Sequence, residues 1–300
     1  MKLGVAIPII DAAVGGDPGA LREFAQIAEA LGYQDLSAPD HVLGVNVASR
    51  PGWGDRNSSD DLFHDPFTLF SFLAASTRTI EFSTQVLILA QRQAVLVAKQ
   101  ASSLDVLCGG RFRLGVGVGW NEVEFVGLNE DFYNRGRRSE EQVQVMKALW
   151  AEPHITFRGK YHTMDDVGIN PLPARRTIPV WFGGHMDITM RRVVQWGDGW
   201  MPMAYAPGDE AKIAFDKLRT MATASGRDPA NIGIDTRTTV GLGGEAEWRD
   251  TVRFWKSCGV SHLTLVTYSG RGHLGRIEGR RLVDHIVAIE RYLNAVGDLI

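Results

Sequence analysis

Short apolar runs alternate with amphipathic stretches along the whole chain. The first run, Leu3 to Ile10, precedes a helical pattern from Pro18 to Leu31. The second, Asp35 to Val42, precedes Pro66 to Ser76, and the third, Ile80 to Leu89, precedes Ala94 to Leu107. The rhythm continues with Phe112 to Val118 before Ser139 to Trp150, Ile178 to Phe182 before Asp187 to Trp196, and Gly199 to Met203 before Gly208 to Ser225. It closes with Ile234 to Leu242 before Glu247 to Cys258, and Leu263 to Tyr268 before Glu278 to Ala295. Continuous apolar runs bounded by Gly, Pro, Asp or Asn read as strands buried on both faces, and the 3.6-residue pattern after each reads as a covering helix.

Several boundaries carry their own physical signal. Pro18 and Pro66 suit a first helical turn, where the missing N–H costs nothing. Gly32, Gly109 and Gly259 follow helical patterns at positions suited to a left-handed cap. Ser139-Glu-Glu-Gln142 has the form of a capping box. Eight strand-then-helix units without a break predict an α/β protein of the closed (β/α)8 type, a TIM barrel, over residues 1–300 as one domain. An open doubly wound sheet is the alternative, but the first run ends in Ile-Pro-Ile-Ile-Asp without a fingerprint turn. Two insertions interrupt the minimal barrel. Leu43 to His64, after strand two, reads as a polar, glycine-containing lid. Ala151 to Thr177, between helix four and strand five, contains a hairpin at Ile155 to Thr163 turning at Arg158-Gly159.

With 300 residues and 44% hydrophobic composition, the chain can bury a large core, and a net charge of −3 without basic runs argues against a nucleic-acid binder. No apolar run approaches membrane-spanning length. Two cysteines, Cys108 and Cys258, are too few for a disulfide framework, and the expected compartment is the cytoplasm. The scattered histidines form no metal-binding spacing, so no metal site is expected.

One stretch does not behave as a plain strand. In GGRFRLGVGVGWNE, glycines fall at 115, 117 and 119. Glycine weakens a strand and marks close approach of another group. The spacing does not continue as Gly-x-Gly-x-x-Gly, and no Gly-Lys-Ser/Thr tripeptide exists, so the common nucleotide loops are absent. In a barrel, the ends of strands four, five (Gly183-Gly184) and seven (Gly241 to Gly244) converge on the C-terminal mouth, where active sites lie. Side-chain-free backbone gathered there leaves room for a flat or phosphorylated ligand.

The strand-four block, with Arg135-Gly-Arg-Arg138, Ala38-Pro-Asp-His-Val42, the helix Ala98 to Leu107 and Ile178-Pro-Val-Trp-Phe-Gly-Gly184, resembles the bacterial-luciferase-like superfamily and, within it, the F420-dependent oxidoreductases. The resemblance runs from residue 3 to 295. It implies a barrel with a flavin or deazaflavin ring in its mouth, a cis peptide at Gln85–Val86, and a homodimer. F420 is the expected cofactor, and FMN is the alternative. FMN would make the chain a monooxygenase supplied with reduced flavin by a separate reductase. A non-catalytic flavin-binding barrel is a further alternative.

On that resemblance His41 and Asp40, at the end of strand two, are the candidate catalytic residues, His41 moving a proton and Asp40 orienting it or capping a turn. Gln85, Val86, Gly117, Gly119 and Trp120 are candidates for contact with the ring. Gly183, Gly184 and Arg138 are candidates for a phosphate or anionic tail. The sugar-phosphate dehydrogenase branch has glutamate where Trp120 stands, which speaks against a glucose-6-phosphate-type substrate. The substrate is expected to be a small organic molecule selected by the lid and the hairpin region.

Overall fold

A computed structural model describes residues 1–300. The barrel strands are β1 (Lys2–Ala6), β2 (Asp35–Ala38), β3 (Glu81–Thr84), β4 (Phe112–Gly117), β5 (Val180–Gly183), β6 (Gly199–Met201), β7 (Gly233–Thr239) and β8 (His262–Val266). Each pairs in parallel with the next, and β8 pairs with β1, so the sheet has no free edge. The covering helices are α1 (Pro18–Leu31), α2 (Pro66–Ala74), α3 (Ala94–Leu107), α4 (Arg135–Ala151), α5 (Asp187–Trp196), α6 (Asp209–Ala224), α7 (Glu245–Ser257) and α8 (Leu282–Val296). The architecture is the expected TIM barrel. No helix is long and apolar enough to cross a membrane.

Helix α1 illustrates why the pattern folds this way. Asp17 accepts from the Gly19 amide at 2.7 Å, Pro18 opens the first turn, and Gly32 closes the helix at φ 96°. Leu21, Phe24, Ala25 and Ala28 recur at helical spacing and are the buried face. Burying Leu21 and Phe24 contributes on the order of 2–3 kcal/mol each, and truncating Phe24 to alanine would cost about 3–5 kcal/mol.

Helix α4 begins a turn earlier than the Ser139 capping box implied. Arg135 donates to the carbonyls of Phe132 and Gly119 and lies over the Phe132 ring, which pins the chain into helix before Ser139. Ser139 Oγ therefore donates back to the Arg135 carbonyl at 2.7 Å, and Gln142 donates to the Arg92 carbonyl. The hairpin strands are Ile155–Arg158 and Thr163–Val167, so the turn is Gly159 to His162 rather than Arg158-Gly159. Glu141 of α4 accepts from the backbone amides of Lys160, Tyr161 and His162 and fixes that turn.

The lower barrel interior is polar. Arg113 of β4 lies 3.2 Å from Asp35 of β2 and 3.0 Å from Asp235 of β7, with its guanidinium over the Trp181 ring. Ser83 donates to Asp35, and Thr264 donates to Asp235. Burial, only partly offset by Arg113 and reinforced by the like charge of Asp235, raises the Asp35 pKa to about 6.

Candidate functional site

The peptide bond Gln85–Val86 is cis, as the resemblance implies. The chain then resumes pairing, with Leu87 opposite Val116 and Ile88 opposite Gly117. This arrangement gives the strand-four glycines their reason. A Cβ at Gly115 would lie 2.1 Å from the Thr84 carbonyl, and one at Gly117 would lie 2.5 Å from Val86 Cγ2. A Cβ at Gly119, which has φ +76°, would meet Ile88 Cγ2 at 2.7 Å, and one at Gly183 would meet Val86 Cγ1 at 2.7 Å. The space beside these glycines is taken by the strand-three bulge, not left open for a ring as the sequence suggested. Val86, half-buried, is thereby held at the mouth. The Gln85 side chain turns away into the barrel, donating to Asp235 at 3.0 Å and Thr264 at 2.9 Å. The backbone carbonyl of Gln85, at the cis bond, accepts from Arg237 at 3.2 Å.

The glycines after β7 have a different task. A Cβ at Gly241 would lie 2.1 Å from the Gly275 carbonyl, so this end is closed by the loop after β8.

His41 and Asp40 part company. Asp40 is buried, pairs with Arg92 at 2.8 Å and accepts from the Ile88 amide at 2.9 Å. It anchors the strand-three bulge and does not touch His41, contrary to the orienting role expected from the sequence. Glu124 takes that role. Its Oε1 lies 3.2 Å from His41 Nδ1 and accepts from the amides of Val42 (2.9 Å) and Leu43 (3.2 Å), while Oε2 accepts from Gln91. Burial alone would raise the Glu124 pKa, but the hydrogen bonds from His41, Gln91 and Leu43 and the charge of His41 hold it below the usual carboxylate range. The carboxylate orients the Nδ1 side of the His41 ring and leaves Nε2 without a partner in the chain. Glu124 lies in a short helix, Glu122–Gly127, that no sequence pattern announced. Its only signal was an acid three residues beyond the helix-capping Asn121.

Trp120 is 43% exposed and sits at the rim. Its ring centroid is 5.9 Å from His41 and 5.8 Å from Trp53 of the lid, and Phe63 of the lid packs 4.8 Å from His41. The lid is therefore built onto the histidine. The hairpin lines neither cleft beside these residues. It packs along α4 instead, its turn held by Glu141.

Gly183 and Gly184 end β5, with Gly184 at φ +126°. The amides of His185 to Ile188, at the start of α5, donate to nothing in the chain. Asp187 does not oppose an anion there, because it pairs with Lys217 at 2.6 Å, which also lowers its pKa. Arg138 is placed differently from the expectation. It is mostly buried, and both terminal nitrogens are engaged within the chain, by Glu130 and the Ala90 carbonyl, with only the buried Nε unpartnered.

Arg237 was not singled out in the sequence. It points from β7 into the mouth, donates to the Gln85 carbonyl at 3.2 Å, and has a buried Nε with no partner. The set fits a planar redox ring with an anionic tail: free amides after the glycines of β5, a bulged floor at Val86, and a histidine with one nitrogen unassigned.

Comparison with known proteins agrees with this architecture. The family model for luciferase-like monooxygenases matches residues 1–287. An uncharacterised protein of Mycobacterium tuberculosis is 35% identical over 219 residues, covering 70% of this chain and 74% of its own length. The FMNH2-dependent dimethylsulfone monooxygenase of Pseudomonas putida is 26% identical over 235 residues, covering 77% of this chain and 61% of that protein. Among solved structures, an F420-dependent secondary alcohol dehydrogenase in complex with an F420–acetone adduct superposes with a TM-score of 0.75 at 18% identity, covering 98% of each chain.

Proposed function

The chain belongs to the luciferase-like monooxygenase family, and from that premise we propose that it is an F420-dependent oxidoreductase acting on a small organic substrate. The observation that carries the reading is His41, fixed by Glu124 at the end of β2, at a mouth where the Val86 bulge packs on the glycines of β4 and β5. The strand-four block, Gly115 to Trp120, favours the deazaflavin.

When bound, the deazaflavin supplies two-electron hydride chemistry. Val86, backed by Gly117 and Gly183 packed against it, would form the floor on which the ring rests. The Gly183-Gly184 turn and the amides at the start of α5 would receive the anionic tail. His41, with Nδ1 held by Glu124, takes or returns the substrate proton at Nε2. The lid, through Trp53 and Phe63, excludes water from that proton's path. A homodimeric assembly goes with this reading. An FMN-dependent monooxygenase, served by a separate reductase, is the second reading, favoured by the Pseudomonas putida relative.

The test is anaerobic incubation of the purified chain with reduced F420 and a panel of ketones and enones, following return of the deazaflavin absorption. Turnover without oxygen supports the proposal. Oxygen-dependent turnover with reduced FMN alone replaces it with the second reading.

A further inference from the structure

The mouth has a second compartment, across from the glycine-ended strands. A cleft of about 450 Å³ is lined by Pro39 after β2, Phe63 of the lid, Met203 after β6, Arg237 of β7, and Tyr268 and Arg271 after β8. None of its lining comes from β3, β4 or β5, whose ends carry Val86, Gly117 and Gly183. A ring seated over those strand ends leaves this cleft for the substrate.

The charge in the cleft is unbalanced. Three guanidinium groups line it, those of Arg237, Arg271 and Arg276, against one carboxylate, that of Asp61. Arg276 is neutralised by Asp11, which also faces the buried His285. Asp61 is engaged by the Ser58 amide at 2.8 Å. Arg237 and Arg271 have only backbone carbonyls as partners, those of Gln85 and Asp55. Arg237 spends one terminal nitrogen on the Gln85 backbone carbonyl, and its other terminal nitrogen, without a partner in the chain, is the donor a bound oxyanion would meet. The remaining walls, Ile10, Phe63, Met203 and Leu274, are apolar.

We propose that this cleft selects organic anions, with a carboxylate or sulfonate on Arg237, assisted by Arg271, and an apolar body between Phe63 and Met203. Guanidinium presents paired N–H donors that match such oxyanions. The inference rests on the reading that the redox ring occupies the β3–β5 side of the mouth, and it names the substrate class of that site.

The experiment is calorimetric titration of the cofactor-free chain with matched pairs: phenylacetate against phenylacetamide, octanoate against octanamide, and 2-phenylethanesulfonate against 2-phenylethanol. The expected result is that each anion binds roughly tenfold or more tightly than its neutral partner. Arg237→Met should remove that ratio and leave the neutral affinities unchanged, while Arg237→Lys retains part of it. Circular dichroism of each variant establishes that it is folded, and Arg271→Met, on an exposed loop, provides a second reduction of the ratio independent of the barrel wall. Absence of any anion preference in all pairs, or its survival in the Arg237→Met, Arg271→Met double variant, overturns the proposal. A repeat with saturating F420 or FMN separates substrate from cofactor. Retained anion binding supports the assignment, whereas competition places the cofactor's own oxygens on Arg237 and contradicts it. If neither cofactor bound, the functional reading would fall, while the anion preference of the cofactor-free chain would still decide this proposal.

Discussion

Val86 Cγ2 lies where a side chain at Gly117 would have to go, 2.5 Å from an ideal Cβ. Strand four is thus cut back to backbone because strand three bulges into it. Gly117→Ala is therefore expected to displace Val86, lower stability by about 1–3 kcal/mol, and weaken cofactor binding roughly tenfold. Gly52 of the lid, with nothing within 4 Å of its Cβ direction, is the control. Gly52→Ala should stay within about 0.5 kcal/mol of wild type by urea unfolding.

Glu124 should matter through His41. Replacing it by glutamine puts an NH2 where one of four donors now points, at a cost of about 1–3 kcal/mol. It also loosens the hold on the His41 ring, so kcat should fall roughly ten- to a hundredfold with KM little changed, while His41→Ala falls by about a hundredfold or more. Because the folded Glu124 pKa is depressed, its contribution is present above the unfolded carboxylate pKa and is lost as pH falls through the folded value. The stability gap between wild type and Glu124→Gln should accordingly narrow in acid. A gap that widens in acid would contradict the assignment.

Asp40 is expected to behave as a structural anchor. Arg92→Met would strand its buried carboxylate and should cost about 3–5 kcal/mol. Asp40→Asn, which keeps the shape and one acceptor for the Ile88 amide, should lose stability but retain kcat within roughly tenfold, far short of the His41 variants. Parallel chemical denaturation and steady-state kinetics distinguish the two effects.

Asp35 gives the opposite pH signature from Glu124. Its folded pKa, about 6, lies above the ordinary aspartate value of 3.8. The folded state therefore binds more protons between those values, and stability falls as pH rises from 4 toward 6. Asp35→Asn should remove that component, amounting to as much as about 3 kcal/mol, when unfolding free energies of the two proteins are compared across this range.

The barrel itself was legible in the sequence because its signals are local. Pro18, Gly32 and the alternation of apolar runs with 3.6-residue patterns need no knowledge of distant contacts. The mouth was legible at its strand ends, through the glycines at 117, 119 and 183 and the histidine at 41. The partners were not, because they come from elsewhere in the chain. Glu124 reaches His41 across 83 residues, and Gln85 reaches Thr264 across 179. Arg113, Asp35 and Asp235 sit in strands whose apolar neighbours dominate the pattern, so their convergence inside the barrel is visible only once the register is known. Arg237 was hidden in the same way, by its place within a run of threonines. Arg138 and Asp40 were assigned to the site from their motifs, yet Glu130 and Arg92, which the motifs do not specify, commit them to the scaffold.

The central claim is that the glycine-ended strands and the Val86 bulge form a seat for a deazaflavin or flavin ring. Its most direct measurement is fluorescence titration of the purified chain with F420 and with FMN, repeated on Gly117→Ala. The account predicts saturable one-to-one binding, tighter for F420, and loss of roughly tenfold or more in affinity in the variant. Absence of saturable binding of either cofactor, or binding that Gly117→Ala leaves untouched, would contradict it.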